Sequence, residues 1–311
     1  MNTGLKITAF AAALAATFGT AYGVGMGADP VFDAPSQHAG QQHPGQGKEP
    51  QKTDGDGHGG HQEGGGTAEK SAAKAAAGGL EISEGGYTLA LETPTVAAGD
   101  RSEIRFAIKD DHGDNVTDYR REHGKELHFI VASRDLTTFR HLHPVREADG
   151  TWSTEVELPA AGGYRAFADF TPRGAGGTNH TLGADLAVSG DFRPAKMPPV
   201  RAVAEVDGYQ VALGGGLRAG RSGELTLTVS KDGRPVTDLQ PYLGAFGHLV
   251  ALRSGDLAYL HVHPNEGGPG PEVSFTATAP SAGTYRLFLD FQHEGKVRTA
   301  SFTVEAAAAD H

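Results

Sequence analysis

The sequence predicts an all-β chain made of two copies of one antiparallel sandwich, and three observations carry that reading. Apolar residues alternate at period two over short runs, as in Tyr87, Leu89 and Leu91 and then Ile104, Phe106 and Ile108. Turn formers such as Ala98-Gly99-Asp100 and the run from Asp111 to Asn115 separate those runs. The whole series then returns: GYTLAL from Gly86 reappears as GYQVAL from Gly208, VTD from Val116 as VTD from Val236, and YRAFADF from Tyr164 as YRLFLDF from Tyr285. With 45 Gly, 17 Pro and 38% apolar residues in 311, the composition suits a turn-rich β protein better than a helical enzyme.

Four segments follow in order. Residues 7–28 hold no charge and end at Asp29-Pro30, so residues 1–28 read as a signal peptide or an uncleaved signal anchor. Either reading places the remainder outside the cytoplasmic membrane, secreted or held to that membrane by an N-terminal hydrophobic helix. Residues 29–79 are Gly, Gln, His, Pro and charge without apolar periodicity, which predicts a disordered tether. Its His38, His43, His58 and His61 are either incidental to a soluble spacer or a loose metal trap. Residues 80–190 and 200–307 are the two sandwich domains, each with about seven short strands, a size that suits an immunoglobulin-like or cupredoxin-like unit. Pro194, Pro198 and Pro199 stiffen the segment between them.

The net charge of −11 argues against nucleic acid as a partner, since phosphate binding needs basic patches. The chain has no Cys, which excludes disulfides, thiolate zinc sites, blue-copper ligation and a lipidated Cys anchor. Any bound metal is therefore held by nitrogen and oxygen.

One spacing points to such a metal. His128 is followed by His141, His143 and Pro144, and His248 is followed at the same intervals by His261, His263 and Pro264. ELHFIVAS and FRHLHP flank a short DLTT loop, so they form a hairpin. If it centres near Asp135 and Leu136, positions summing to 271 face each other; His128 then lies opposite His143 with His141 diagonal, and all three share a face. The second copy predicts the same for its three histidines, giving one three-histidine site per domain, with copper or zinc as the ion. Affinity is expected to fall as pH drops through about 6.5, where imidazole protonates. The bland reading is a hydrogen-bonded histidine cluster that packs the hairpin.

Asp169 and Asp290 in the repeated aromatic strand are expected to pair with Arg165 and Arg286, with ligation or orientation of an imidazole as the alternative. Tyr164 and Tyr285 read as core or corner tyrosines. His123, His180 and His293 read as surface residues, the latter two also as fourth-ligand candidates.

The export segment, the His-rich linker and the paired modules bearing His-x12-His-x-His-Pro followed by YRxFxDF resemble exported actinobacterial Ig-like proteins similar to YtkA-like and heavy-metal-associated periplasmic modules. The resemblance spans about residues 80–306 and implies extracytoplasmic metal binding, copper above all. With only three Met in the chain, the ligand set favours Cu(II) or Zn(II) over Cu(I).

The leading expectation is thus an extracytoplasmic metal-binding protein. The alternative is a cell-surface Ig-like interaction module in which the histidines are structural. A metalloenzyme ranks third, because no glutamate stands as a general base beside the motif and no other catalytic signature is present.

Overall fold

The computed structural model describes residues 77–174, 177–260 and 262–309, all of which belong to one compact unit running from Glu69 to His311. The export segment and nearly all of the expected tether lie outside the described residues, as do His261 and the side chain of His263. Among the described residues the chain is all β, and no helix is long and apolar enough to cross a membrane.

The first domain holds β1 (Ser83–Glu84), β2 (Tyr87–Leu91), β3 (Thr95–Ala97), β4 (Arg101–Lys109), β5 (Tyr119–Arg120), β6 (Leu127–Ser133), β7 (Phe139–Leu142), β8 (Val145–Arg146), β9 (Thr151–Glu157), β10 (Gly162–Pro172) and β11 (His180–Ser189). They form two sheets, β1-β2-β4-β9-β8 and β3-β11-β10-β6-β7, with β5 added to β10. The second domain holds β12 (Val203–Val206), β13 (Tyr209–Gly215), β14 (Ser222–Lys231), β15 (Arg234–Pro235), β16 (His248–Arg253), β17 (Tyr259–Leu260), β18 (Val262–Pro264), β19 (Glu272–Thr278), β20 (Gly283–His293) and β21 (Lys296–Ala306). Its sheets are β12-β13-β14-β19-β18, with β15 on β14, and β17-β16-β20-β21. Leu89, Ile104, Phe106 and Trp152 pack the first core together with Phe129 and Phe170; Val211, Leu227, Phe275, Leu287 and Phe291 pack the second.

Each domain turns a corner on a tyrosine: the Tyr164 hydroxyl donates to the Ala160 carbonyl at 2.8 Å and that of Tyr285 to Ser281 at 2.9 Å.

A third apolar cluster joins the domains. Every residue of β6 is buried, on both faces. Phe129 and Val131 point into their own core, whereas Ile130 and Ala132 point away from it and meet Val250 and Leu252 of β16, with Phe139, Phe167, Tyr259 and Phe288 completing the seam. Phe139 stacks on Phe288 with ring centroids 4.1 Å apart and planes 5° from parallel, and the repeat-related pair Tyr259 and Phe167 lies at 5.8 Å. The seam is thus built twice from equivalent positions. Its histidines are carried there by strand alternation: His128 shares the face of Ile130 and Ala132, and His248 that of Val250 and Leu252.

The last residues of the expected tether are also fixed. Gly78 exchanges backbone hydrogen bonds with Tyr259 of the second domain, and Arg165 donates to the carbonyls of Gly79 and Leu80.

A seam of this kind couples the two folding units. Phe288→Ala is expected to cost about 3 to 5 kcal/mol by leaving a cavity. Urea unfolding followed by Trp152 fluorescence checks this, because that tryptophan sits in the first core: the coupled seam shifts its transition to lower urea, whereas independent domains leave it in place.

Candidate metal centre

The first hairpin has the expected register. Phe129 pairs with Leu142 and Ile130 with His141, both summing to 271. Its loop is closed by Asp135, whose carboxylate accepts from the Ser133 hydroxyl at 2.6 Å and the Thr137 amide at 3.1 Å, while Leu136 takes a positive φ of 57°. The three rings accordingly gather: His128 to His141 5.3 Å between centroids, His141 to His143 4.7 Å, His128 to His143 5.5 Å.

The second hairpin differs. Ala251 pairs with Leu260, but the chain then leaves the inner sheet and pairs β18 with β19, His263 facing Thr276 across the outer sheet. In the first domain the same crossing comes only at Val145, beyond the histidines. The chain therefore changes sheet between Leu260 and Val262, and the strict equivalence expected of the two copies does not hold for the backbone. His248 goes elsewhere. Its ring stacks on His128 at 5.2 Å and 10° and lies 4.5 Å from His141, so the second domain adds a histidine to the first domain's set. Nitrogens of His128, His141 and His248 lie within 4.8 Å of one another.

Three of the secondary expectations also change. Asp290 does not pair with Arg286; its carboxylate accepts from His141 Nδ1 at 2.7 Å and from the Thr299 hydroxyl at 2.5 Å, the orienting role named as the alternative. Arg286 instead reaches the Leu136 carbonyl across the seam and the hydroxyls of Ser301 and Thr303. Asp169 accepts from Asn179 at 2.6 Å, and Arg165 pairs with Asp185 at 3.0 Å. His293 is buried rather than on the surface, held between the Tyr209 hydroxyl and Asp238. His180 is half-buried against Tyr87 and Phe170. His123 stands 6.1 Å from His128 and 5.8 Å from His248, at the edge of the cluster.

His123 reaches that edge through a tight hairpin turn. Glu122 and Lys125 exchange backbone hydrogen bonds while His123 and Gly124 take φ of 49° and 77°, the two left-handed residues of a type I′ turn. The second domain repeats the turn with Leu243 and Gly244, at 56° and 80°. An HG pair between two polar residues was a legible turn signal. That it would reach the cluster was not.

The hydrogen bonds fix which nitrogens are free. His128 Nε2 faces the Glu122 carbonyl at 3.2 Å, an acceptor, so it carries the proton. His141 Nδ1 faces the Asp290 carboxylate and likewise donates. In the neutral rings this leaves lone pairs on His128 Nδ1 and His141 Nε2, which point at each other across 3.1 Å. Two lone pairs at that distance repel unless a cation or a shared proton lies between them. Two nitrogens each about 2.05 Å from one ion lie about 2.9 Å apart at a right angle and about 3.3 Å at a tetrahedral one, and the observed separation falls between. Nε2 of His143 and Nδ1 of His248 are buried and meet no hydrogen-bond partner among the described residues. Asp290 backing His141 is the carboxylate–histidine arrangement that orients a metal ligand.

The environment disfavours a charge on three of the rings. Burial, then the neighbouring His141, pushes His128 down to about 4 and His143 down to about 3; burial holds His248 well below the ordinary histidine range. Burial and the nearby Asp290 push Tyr242, 6.1 Å from His143, up to about 12.

A family model described as a domain of unknown function, DUF8832, matches residues 81–190 and again residues 204–308. The chain belongs to the DUF8832 family. The two matches cover the two sandwiches, so the site is built between two DUF8832 domains. No curated protein matches the chain. Solved structures similar to it include the Escherichia coli adhesin FdeC, 15% identical over 73% of this chain and 65% of that one with a TM-score of 0.25. InvD of Yersinia pseudotuberculosis is 13% identical over 73% and 59%, TM-score 0.24, and a Salmonella alpha-2-macroglobulin variant is 14% identical over 75% and 15%, TM-score 0.26. The chain spans less than two thirds of the length of each of these three.

The depressed basicity has a sign. Unfolding returns His128 and His143 to an ordinary value near 6.5, so below that pH the unfolded chain binds more protons than the folded one. The metal-free fold is then at full stability above about 6.5 and weakens as pH falls from there toward about 4. Melting temperatures across that window, alongside ring-proton NMR shifts, test this; rings of His128 and His143 that titrate near 6.5 in the folded protein contradict it.

Proposed function

We propose that the protein is an extracytoplasmic metal-binding protein that holds one Cu(II) or Zn(II) ion between its two Ig-like domains. The observation that carries this is the pair of facing lone pairs on His128 and His141 with His248 beside them. His128, His141 and His248 would hold the ion, His143 stands as a fourth ligand, and Asp290 orients His141. The resemblance of the His-x12-His-x-His-Pro hairpins to YtkA-like modules supports the same reading, and the uncharged N-terminal segment supports export, with the cytoplasmic membrane as anchor or as the barrier crossed. An ion in such a site supplies positive charge among four imidazoles; buffering, delivery and resistance are the roles that fit it.

A second reading is favoured by the 2.7 Å contact between His141 and Asp290. A shared proton in place of the ion makes the cluster a clasp between two domains, and the protein a cell-surface Ig-like interaction module with structural histidines.

Titration calorimetry on the protein purified without an affinity tag separates the two. The metal reading predicts one tight site per chain that is lost, by at least a hundredfold in affinity, in His128→Ala and equally in His248→Ala, although these residues belong to different domains. Unchanged binding in both variants, or no binding by the wild type, refutes it.

A further inference from the structure

The cluster is largely shielded from water: His128 is 4% exposed and Asp290 3%, the side chain of His141 is 2% exposed, and His143 and His248 are half-buried. A hydrated ion cannot reach it without a route. A cavity of about 680 Å³ opens beside it, lined by Glu224, Glu266 and Glu272 of the second domain, with Pro264 and Asn265 on its wall and His123 of the first domain at one side. All three glutamates are exposed to solvent. The ring of His123 borders this cavity and also stands against His128 and His248. His248 in turn presents the buried, unpartnered Nδ1.

A second cavity, of about 450 Å³, borders His141 and Asp290 on another side, but its lining includes Arg140, and the nitrogen of His141 that faces Asp290 is already engaged. The balance of charge favours the first for a cation.

The turn adds an independent mark. A histidine occupies a left-handed position that the second domain fills with Leu243, so the fold does not require an imidazole there.

Resting on the metal-binding reading, we propose that the acidic cavity is the vestibule through which a divalent cation approaches, and that His123 is the transfer ligand that passes it to His248 and His128. The glutamates concentrate the hydrated ion by charge, and His123 replaces part of its water shell before the buried rings take over. Neither the glutamates nor His123 belongs to the final ligand set. They govern rate rather than affinity.

The test is stopped-flow absorbance of Cu(II) binding to the whole protein, at low and high ionic strength, for the wild type, for the triple variant Glu224→Gln, Glu266→Gln, Glu272→Gln, and for His123→Leu, which copies the residue found in the equivalent turn. The expected result is association slowed about tenfold in each variant, with the salt dependence lost in the triple variant, and an unchanged final absorbance and one ion per chain. Wild-type rates in both variants overturn the vestibule while leaving the metal site standing. A wild type that takes up neither Cu(II) nor, in a parallel titration, Zn(II) overturns the metal site itself, and the vestibule with it.

Discussion

Burial of a second face on the inner strands is the constraint on which the rest of the structure depends. β6 and β16 each send one set of alternate residues into their own sandwich and the other set into the seam, so the residues that would face water in a lone domain face the other domain instead. Ile130, Ala132, Val250, Leu252 and the stacked Phe139 and Phe288 exclude water there. His128 and His248 lie on those same faces, and once the seam closes they have nowhere else to point. The polar cluster is therefore a consequence of apolar packing, and its geometry is set by β alternation rather than by flexible loops.

In that dry setting the imidazoles cannot all be treated alike. A buried ring must place each nitrogen against a partner of the right kind, and the Glu122 carbonyl and the Asp290 carboxylate claim the protons of His128 and His141. What is left over faces inward: His128 Nδ1 and His141 Nε2 at 3.1 Å, which in neutral rings are two lone pairs, and two orphan nitrogens close by. The desolvation that depresses the basicity of His128, His143 and His248 resists placing a proton on those three rings, which leaves them as neutral donors to an ion. It also moves the pH at which protons compete for these ligands well below the 6.5 of free histidine, correcting the dependence expected from spacing alone.

Much of this is legible in the sequence. Period-two alternation and the turn residues predicted the strands, the repeat predicted two sandwiches, and a two-residue hairpin centre placed His128 opposite His143. The histidine spacing alone predicts two separate sites, although a signal for their union exists: LHFIVAS is apolar at every position except its histidine and terminal serine, and YRAFADF puts Phe167 on the same face as Arg165 and Asp169. A strand that is apolar on both faces has two things to cover. Other features had no local signal. The change of sheet between Leu260 and Val262 depends on where β18 meets β19, and the partners of Asp290, Arg286 and His293 come from segments distant in sequence, which charge spacing along one strand cannot supply. The Arg–Asp pairing expected there was reasonable chemistry on the wrong scale: the residues share a face, but each finds a better partner across it.

The central claim is that one ion sits between the two domains, held by rings from both. Anomalous diffraction at the metal edge, from crystals grown separately with Cu(II) and with Zn(II), tests it most directly. The account predicts a single strong peak about 2.0 to 2.1 Å from nitrogens of His128, His141 and His248. A separate peak within each domain, or no peak at the seam while His128 and His141 keep their 3.1 Å contact, would contradict it.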